Sequence, residues 1–427
     1  MFTLHPMHPL AAALLLACLM PAVQASEPLQ LREALHLAVA QSQQLTAQDA
    51  QVSAARDRAV AAGQLPDPVL SLGIENLPIS GPERWSLGRD FMTMRRIGIS
   101  QEITSASKRQ ARTERLRQEA TLAQAQKQQV LANLQTDTAL AWLDRHYRAR
   151  MHALVQQQVA EAQLQVEAAE IAYRTGAGSQ SDVFAARTAV IGLEDREDQL
   201  ERQSRRAADA LARWIGADAE RTPGGLPPWR GGHGAEPPTP QDLDRHPALV
   251  VSAAQITLAQ ADVQLAQANT EPDWTLAAAF SQRGPGYSNM VSLGVSIPLQ
   301  WERPNRQGRE LAARLALLQG MRAQYDDLHR AREAEIRSLR GDWSSGMRRV
   351  DRYNQQLLPV ARQRIEAALT AYRTGNSDLA TVLAARRDAL DQRLVALGME
   401  MDTARLWAQL YYQIPDAAAD TPHKGQP

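Results

Sequence analysis

The residue types that most often carry chemistry are scattered along this chain. His146 and His152, among nine histidines, are six positions apart, so they do not share a helix face as a zinc-binding pair at i and i+4 would. The sequence has no glycine-rich phosphate loop and no nucleophile elbow. Met92 and Met94 could offer soft ligands to copper or silver, but the simpler interpretation is that they are strand residues. We therefore predict no catalytic residue, no metal site, no cofactor and no enzymatic activity.

A block of residues around Tyr173 occurs twice, 199 positions apart. Ala172–Gly176 reads Ala-Tyr-Arg-Thr-Gly, and the same five residues stand at 371–375. With the flanking matches there are 12 identities between positions 167 and 187 and their counterparts. Such a match predicts a duplicated unit of about 200 residues, and therefore two similar halves.

Each half contains two segments in which apolar and polar residues alternate. These are Asp67–Leu77 and Met94–Ile103 in the first half, and Asp273–Gln282 and Ser288–Leu299 in the second. They predict strands close to the roughly 9–11 residues that cross a bilayer in a tilted barrel, with the alternative of a soluble antiparallel sheet buried on one face. The residues predicted to face lipid are Leu70, Leu72, Ile74, Ile97, Ile99, Trp274, Leu276, Phe280, Val291, Leu293, Val295 and Ile297.

Four strands are too few to close a membrane barrel, which needs about eight. Open strand edges are not tolerated in lipid, because their backbone groups would lack hydrogen-bond partners. If these strands span a membrane, one chain cannot be the functional unit. Three copies would supply twelve strands, which is an acceptable even number for such a barrel.

Two long stretches of the chain contain apolar residues every three or four positions, and the first of them contains no proline. They predict two antiparallel helical hairpins, 105–215 and 306–413, that turn at Gly176 and Gly375. The alternative is a soluble or cytoskeletal coiled coil. Pro359 has no counterpart in the first half, which predicts an interruption near Leu358 in the second hairpin only.

Composition and local signals define the remaining segments. Net charge is zero, with 47 basic and 47 acidic residues, so nothing indicates a nucleic-acid partner. Cys18, the only cysteine, follows Leu15-Leu16-Ala17 as at a lipoprotein cleavage site. The predicted organisation is a signal peptide at 1–25, a first repeat at 26–221 with strand pair 67–103, a Pro/Gly-rich connector at 222–239, a second repeat at 240–414 with strand pair 273–299, and a disordered tail at 415–427.

In their order and doubling, these motifs resemble the outer-membrane efflux protein family, the TolC-like exit ducts of Gram-negative bacteria. Besides the two Tyr-Arg-Thr-Gly turns, the resemblance rests on Leu65-Pro66-Asp67-Pro68, Pro272-Asp273-Trp274 and His246-Pro247-Ala248-Leu249. It implies an α+β membrane protein, a homotrimeric 12-stranded outer-membrane β-barrel with four strands per chain, continued by a long α-helical periplasmic barrel. It also implies a periplasmic adaptor, an inner-membrane RND-type pump and outer-membrane lipid as partners.

The resemblance places the hairpin turns at the periplasmic tip of the duct. The residues expected to face the adaptor and the entrance are Arg174, Thr175, Gly176, Asp182, Val183, Arg187, Arg373, Thr374, Gly375, Asp378, Val382 and Arg386. The helices after the turns are expected to be capped by Asp182 or Ser181 and by Asp378 or Ser377. Some members of the family carry a carboxylate ring at the entrance, and here Asp378 is the nearest acid.

The resemblance also bears on what is transported. Gly73–Pro78, and Met92-Thr93-Met94 with Gly98–Glu102, look most like the heavy-metal branch, which implies a passive exit duct for metal cations. The alternatives are a duct for drugs or for type I protein secretion. A periplasmic adaptor would share one helical hairpin, but not a doubled hairpin with four membrane-type strands.

Overall fold

The computed structural model of the chain describes residues 27–230 and 239–414. The predicted signal peptide with Cys18, the tail at 415–427 and positions 231–238 of the connector lie outside the described residues. The strands are β1 (Val69–Glu75), β2 (Met94–Ile103), β3 (Trp274–Gln282) and β4 (Met290–Ser296). The helices are α1 (Leu31–Gln41), α2 (Gln43–Ala62), α3 (Ala106–Arg174), α4 (Gln180–Ile215), α5 (Pro247–Ala268), α6 (Gln307–Arg352), α7 (Leu358–Arg373) and α8 (Leu379–Gln413).

The four strands form one antiparallel sheet in the order β1-β2-β3-β4. All four lie where the alternating patterns predict them, although β1 and β4 are shorter than predicted. The middle contact joins β2 of the first repeat to β3 of the second, with Gly98 opposite Ala279. Each repeat therefore contributes half of a continuous sheet.

Helix α3 is the longest element and runs without interruption for 69 residues. At 1.5 Å per residue it extends about 100 Å from the sheet to the first hairpin turn. In the second repeat the equivalent path is interrupted by one π-helical turn, Tyr353–Leu357, in which Leu358 N–H donates to the carbonyl of Tyr353. Pro359 follows at once and has no N–H to continue the α-helical ladder. The predicted interruption near Leu358 is confirmed, and α3 has none.

The polar stretch before each strand pair is divided at a position that the sequence patterns did not predict. In the first repeat, Ser42 ends α1 and its side chain accepts from Leu45 N–H to cap α2, so the stretch is two helices. In the second repeat a short 3-10 helix precedes α5. Among the described residues, α5 alone is long and apolar enough to span a membrane by length and composition. It contacts α3 and α6, and Leu249 and Val251 are buried there, so its apolar side chains serve packing between helices.

The largest core cluster lies midway along the long helices, where Leu29, α1 and the connector cover them. Trp142, Tyr147 and Trp229 are buried together there. The indole N–H of Trp142 donates to the carbonyl of Leu29 at 3.1 Å, and Leu29 N–H donates to Thr222. The described part of the connector, 222–230, contains no helix or regular strand and holds these groups in place.

Glu400 on α8 joins four segments beside this core. Its carboxylate accepts from Arg230 of the connector at 2.7 Å and from Asn354 of the π-helical turn at 2.9 Å. Arg150 of α3 lies 4.0 Å away. The partly buried acid is thus compensated by two cations and an amide, which offset the cost of removing its charge from water.

Lys108, at the start of α3, fixes the helices to the sheet. Its buried ammonium donates to the carbonyl of Glu271 and pairs with Asp273, both at 2.9 Å. Replacing Lys108 with Met leaves Asp273 unpaired, and we expect the free energy of unfolding to fall by about 2–3 kcal/mol. Lys127→Met removes an exposed pair with Asp49 and should cost under about 1 kcal/mol. Denaturant titrations of the purified variants measure both; equal losses would contradict this role for Lys108.

His146 makes stability depend on pH. Burial, assisted by the nearby Arg150, lowers the pKa of His146 to about 4. Because the unfolded chain binds this proton near pH 6.5, stability should fall as pH drops from 6.5 towards 4, by on the order of 2 kcal/mol between pH 7 and pH 5. His146→Phe should remove this part of the pH dependence, whereas His36→Phe on the exposed face of α1 should keep it. Unfolding curves at pH 5 and pH 7 test the difference; an unchanged slope in His146→Phe would refute it.

Candidate functional site: two hairpin turns and an apolar sheet face

The first hairpin turn closes α3 by a Schellman motif. Ala177 N–H donates to Ala172 at 2.8 Å and Gly176 N–H donates to Tyr173 at 3.1 Å. Gly176 has φ +74°, a left-handed conformation that other residues adopt only at a cost. The Thr175 hydroxyl donates to the carbonyl of Ile171 at 3.0 Å, so it satisfies a helix-end acceptor.

Helix α4 begins with a capping box, and its N-cap is not one of the residues predicted from the sequence. The N-cap is Ser179, whose hydroxyl accepts from Asp182 N–H at 3.1 Å while the Asp182 carboxylate accepts from Ser179 N–H at 2.9 Å. The prediction that Asp182 or Ser181 is the cap was wrong by three or two positions, because the turn is shorter than assumed. Asp182 still helps to begin α4, from the third helical position.

The second turn has the same backbone geometry as the first. Asn376 N–H donates to Ala371 at 2.9 Å, Gly375 N–H donates to Tyr372 at 3.1 Å, and Gly375 has φ +74°. Here the cap is Asp378, one of the two residues predicted, and its carboxylate accepts from the backbone N–H and the hydroxyl of Thr381. The hydrogen bond from the Thr381 hydroxyl, and to a smaller extent the one from Thr381 N–H, holds the pKa of the Asp378 carboxyl below its usual range.

The two turns of one chain lie side by side. Ala169, Val183 and Ala186 of the first hairpin form a buried cluster with Leu379 and Val382 of the second. Val183 and Val382 were expected to face a partner, but they are packed between the hairpins and are covered in this arrangement. Their role is to hold the turns together.

The exposed Arg-Thr-Gly residues are the same in both turns. Arg187 pairs with Glu170 at 2.7 Å across the first hairpin, and this hydrogen bond lowers the pKa of Glu170. Arg386, the counterpart of Arg187 on α8, instead lines a cavity of about 270 Å³ between α3, α7 and α8. We define the tip surface as the exposed turn residues Arg174, Thr175, Gly176, Arg373, Thr374 and Gly375.

The opposite end of the chain carries the apolar face of the sheet. The strand register places Leu70 opposite Ile99 and Leu72 opposite Ile97, so apolar side chains form rows on one face. All twelve residues predicted to face lipid are exposed in the single chain. The other face is small and polar, and includes an ion pair between Glu75 and Arg96.

Sequence patterns missed several residues that shape these surfaces. Ile79 and Trp85 of the β1–β2 loop are exposed, and Trp85 has φ +60°. Trp301, after β4, is 84% exposed. Single apolar residues in irregular loops have no periodicity, so only their residue type could have drawn attention to them.

Residues 34–217 match the family model of the outer membrane efflux proteins. No curated protein matches the chain in sequence. The matched residues correspond to the first repeat and include the first hairpin turn, and the match agrees with the predicted outer-membrane localisation.

Several solved channel structures share the fold. The outer-membrane channel OprN is 17% identical, with 90% of this chain and 89% of that chain covered and a TM-score of 0.73. CusC is 16% identical, with 90% and 92% covered and a TM-score of 0.75. The outer membrane protein VceC of Vibrio cholerae is 18% identical, with 90% and 95% covered and a TM-score of 0.72.

These similarities confirm the predicted fold class, one chain of a strand barrel continued by a helical barrel. The first repeat matches the outer membrane efflux protein family, and the chain as a whole has the fold of the outer-membrane proteins OprN and VceC.

Proposed function

We propose that this protein is the outer-membrane component of a tripartite efflux system and acts as a passive exit duct. The observation that carries the proposal is the separation of two surfaces by helices about 100 Å long. An apolar sheet face lies at one end and the paired polar turns at the other. Such a chain suits a duct that begins in the periplasm and opens through the outer membrane.

The proposed functional unit is a homotrimer. Within the described residues, β1 and β4 each have one edge without a strand partner. Pairing β4 of one copy with β1 of the next would satisfy both edges, and three copies would give twelve strands.

The tip surface is proposed to bind the periplasmic adaptor, which in turn connects to an inner-membrane RND-type pump. Arg174 and Arg373 are exposed beside turns of the same geometry, so each chain offers two similar docking positions. A carboxylate ring at the entrance is less well supported, since the Asp378 carboxylate is already occupied in capping α8.

Heavy-metal cations are the proposed substrate. Support comes from the resemblance of Gly73–Pro78 and of Met92-Thr93-Met94 to the heavy-metal branch. The alternative is a duct for drugs or secreted polypeptides, since the fold is shared about equally with OprN, VceC and CusC and does not by itself select a substrate.

Bulky residues at both turn glycines test the tip. Gly176→Trp with Gly375→Trp places a large side chain at two positions with φ +74°, where a non-glycine residue costs roughly 1–2 kcal/mol and alters the surface. We expect export to be lost while trimers still form. Gly192→Trp, on an exposed helical position with open space around it, is the control and should export normally. Normal export by the double variant would contradict the tip assignment.

A deletion strain tests the substrate. Growth is measured with copper, silver, zinc, cobalt, nickel and cadmium, with a dye and an antibiotic as controls. Sensitivity to a subset of metals alone, restored by the intact gene, is the expected result. Sensitivity to the dye or the antibiotic alone would move the protein to the drug-efflux branch.

A further inference from the structure

The apolar face of the sheet ends at one row of residues near the loops that join the strands. In the strand register, Ile97 lies opposite Phe280, and both side chains are exposed. One row closer to the loops, Arg95 lies opposite Ile74 on one side and Gln282 on the other. Directly opposed residues project from the same side of a sheet, so Arg95 and Gln282 share the apolar face. A cation and an amide therefore stand at the edge of this face.

The length of β3 places this edge at the boundary of a membrane. Trp274 begins β3 on the same face, and the nine residues from Trp274 to Gln282 form the strand. They extend about 27 Å along the strand, or about 21 Å across a membrane at a strand tilt of about 40°. The apolar band of an outer-membrane barrel is about 25 Å tall. With Trp274 at one interface, Gln282 and the adjacent Arg95 therefore reach the headgroups of the opposite leaflet.

Exposed aromatic side chains lie at both ends of this span. Phe91 and Tyr287 are exposed in the loops beyond Arg95, and Trp274 and Trp301 are exposed at the other end. Aromatic residues form belts at both interfaces of outer-membrane barrels. Their positions agree with a membrane interface at the level of Arg95.

Most of the hydrogen-bonding capacity of Arg95 is unused. Its Nη2 donates to the carbonyl of Arg283 at 3.4 Å, and within the described residues its guanidinium has no ion pair. A guanidinium presents several N–H donors in a planar fork, so most of them remain available. The exposed amide of Gln282 lies beside it on the next strand. The two side chains together offer a charged group of donors to a ligand on the lipid side.

The loops fix the group that orients Arg95. The Nε of Arg283 donates to the carbonyl of Phe91 at 3.0 Å and so joins β3 to the β1–β2 loop. The loops also touch at two glycines, where a Cβ on Gly284 would lie only 1.9 Å from the carbonyl oxygen of Gly88. Arg283 is thus occupied in joining the loops, and its own carbonyl holds Arg95 at the rim of the sheet.

We propose that Arg95 and Gln282 bind a phosphate group on the headgroup of a lipid in the outer leaflet of the outer membrane. Phosphate fits because a guanidinium can donate two parallel hydrogen bonds to its oxygens. The acyl chains of the lipid lie along the apolar rows below, which include Ile97 and Phe280. The inference rests on the proposed function, because a duct that begins in the periplasm places these loops outside the cell.

Lipid binding by the purified protein in detergent tests the site. The probes are diphosphoryl lipid A and the same lipid with both phosphate groups removed, and native mass spectrometry measures the occupancy of each. The unmodified protein should bind the phosphorylated lipid about ten-fold more tightly, and Arg95→Gln should lose most of that preference because the charged fork is gone. Equal binding of the two lipids by the unmodified protein would overturn the proposal.

The next residue along β2 provides a matched control. Arg96→Gln is the same substitution on the opposite face of the sheet, where Arg96 pairs with Glu75 at 2.5 Å. This variant should keep the preference for the phosphorylated lipid, and Arg95→Lys should recover part of it because the charge remains without the fork. Native gels identify the variants that still form trimers. Full preference in trimers of Arg95→Gln, or an equal loss in Arg96→Gln, would refute the role of Arg95.

Inorganic phosphate distinguishes a lipid site from a site for soluble anions. Millimolar inorganic phosphate should not displace the phosphorylated lipid, because the acyl chains add contacts that a free ion lacks. Displacement would identify a soluble-anion site and overturn the assignment to lipid.

Export separates this inference from the proposed function. Because Arg95 faces lipid, a deletion strain that carries Arg95→Gln should export normally, and an export defect with intact trimers would contradict the lipid-facing position. If the lipid preference holds but the deletion strain is sensitive to none of the compounds, the duct fails and the lipid site stands. Absence of the protein from the outer membrane would contradict both.

Discussion

Unpaired backbone at the two edges of the sheet is the constraint on which the rest of the structure depends. Strands β1 and β4 expose hydrogen-bonding groups that water can satisfy but hydrocarbon cannot. A face of apolar side chains adjoins the same edges. In lipid, the backbone groups of these edges are hydrogen-bonded only if the strands pair with further copies of the chain. The helices below the sheet have to be compatible with that pairing.

Because of the duplication, one repeated unit provides both halves of the sheet and both hairpins. Each repeat supplies two strands and one hairpin, and both hairpins end in the same Schellman turn. The contact between hairpins is built from Ala169, Val183 and Val382, and small or branched side chains there allow close approach. The two halves differ in which positions they bury. Leu390 of the second hairpin is buried, whereas Ile191, 199 positions earlier in the first hairpin, is exposed.

Regular periodicity made most of this predictable from the sequence. The strands alternate strictly and α3 contains no proline, so their positions follow from local rules. The positive φ of the turn glycines was predictable from the motif for the same reason. Glu400 has no local signal, since its three partners come from distant segments. Ser179 and Ser42 were missed because several polar residues near a helix start can serve as a cap, and only the backbone path selects one.

The π-helical turn gives the second hairpin a property that the first lacks. Below it, α7 is a rod of 16 residues, about 24 Å long, that ends at the second turn. A change of ten degrees in the direction of that rod would carry Gly375 sideways by roughly 4 Å, about the width of a peptide unit. Helix α3 would have to bend along its whole length for the same displacement. Mechanical compliance is therefore distributed unequally between the two turns, and the second hairpin is the one that a small change of helix direction displaces more easily.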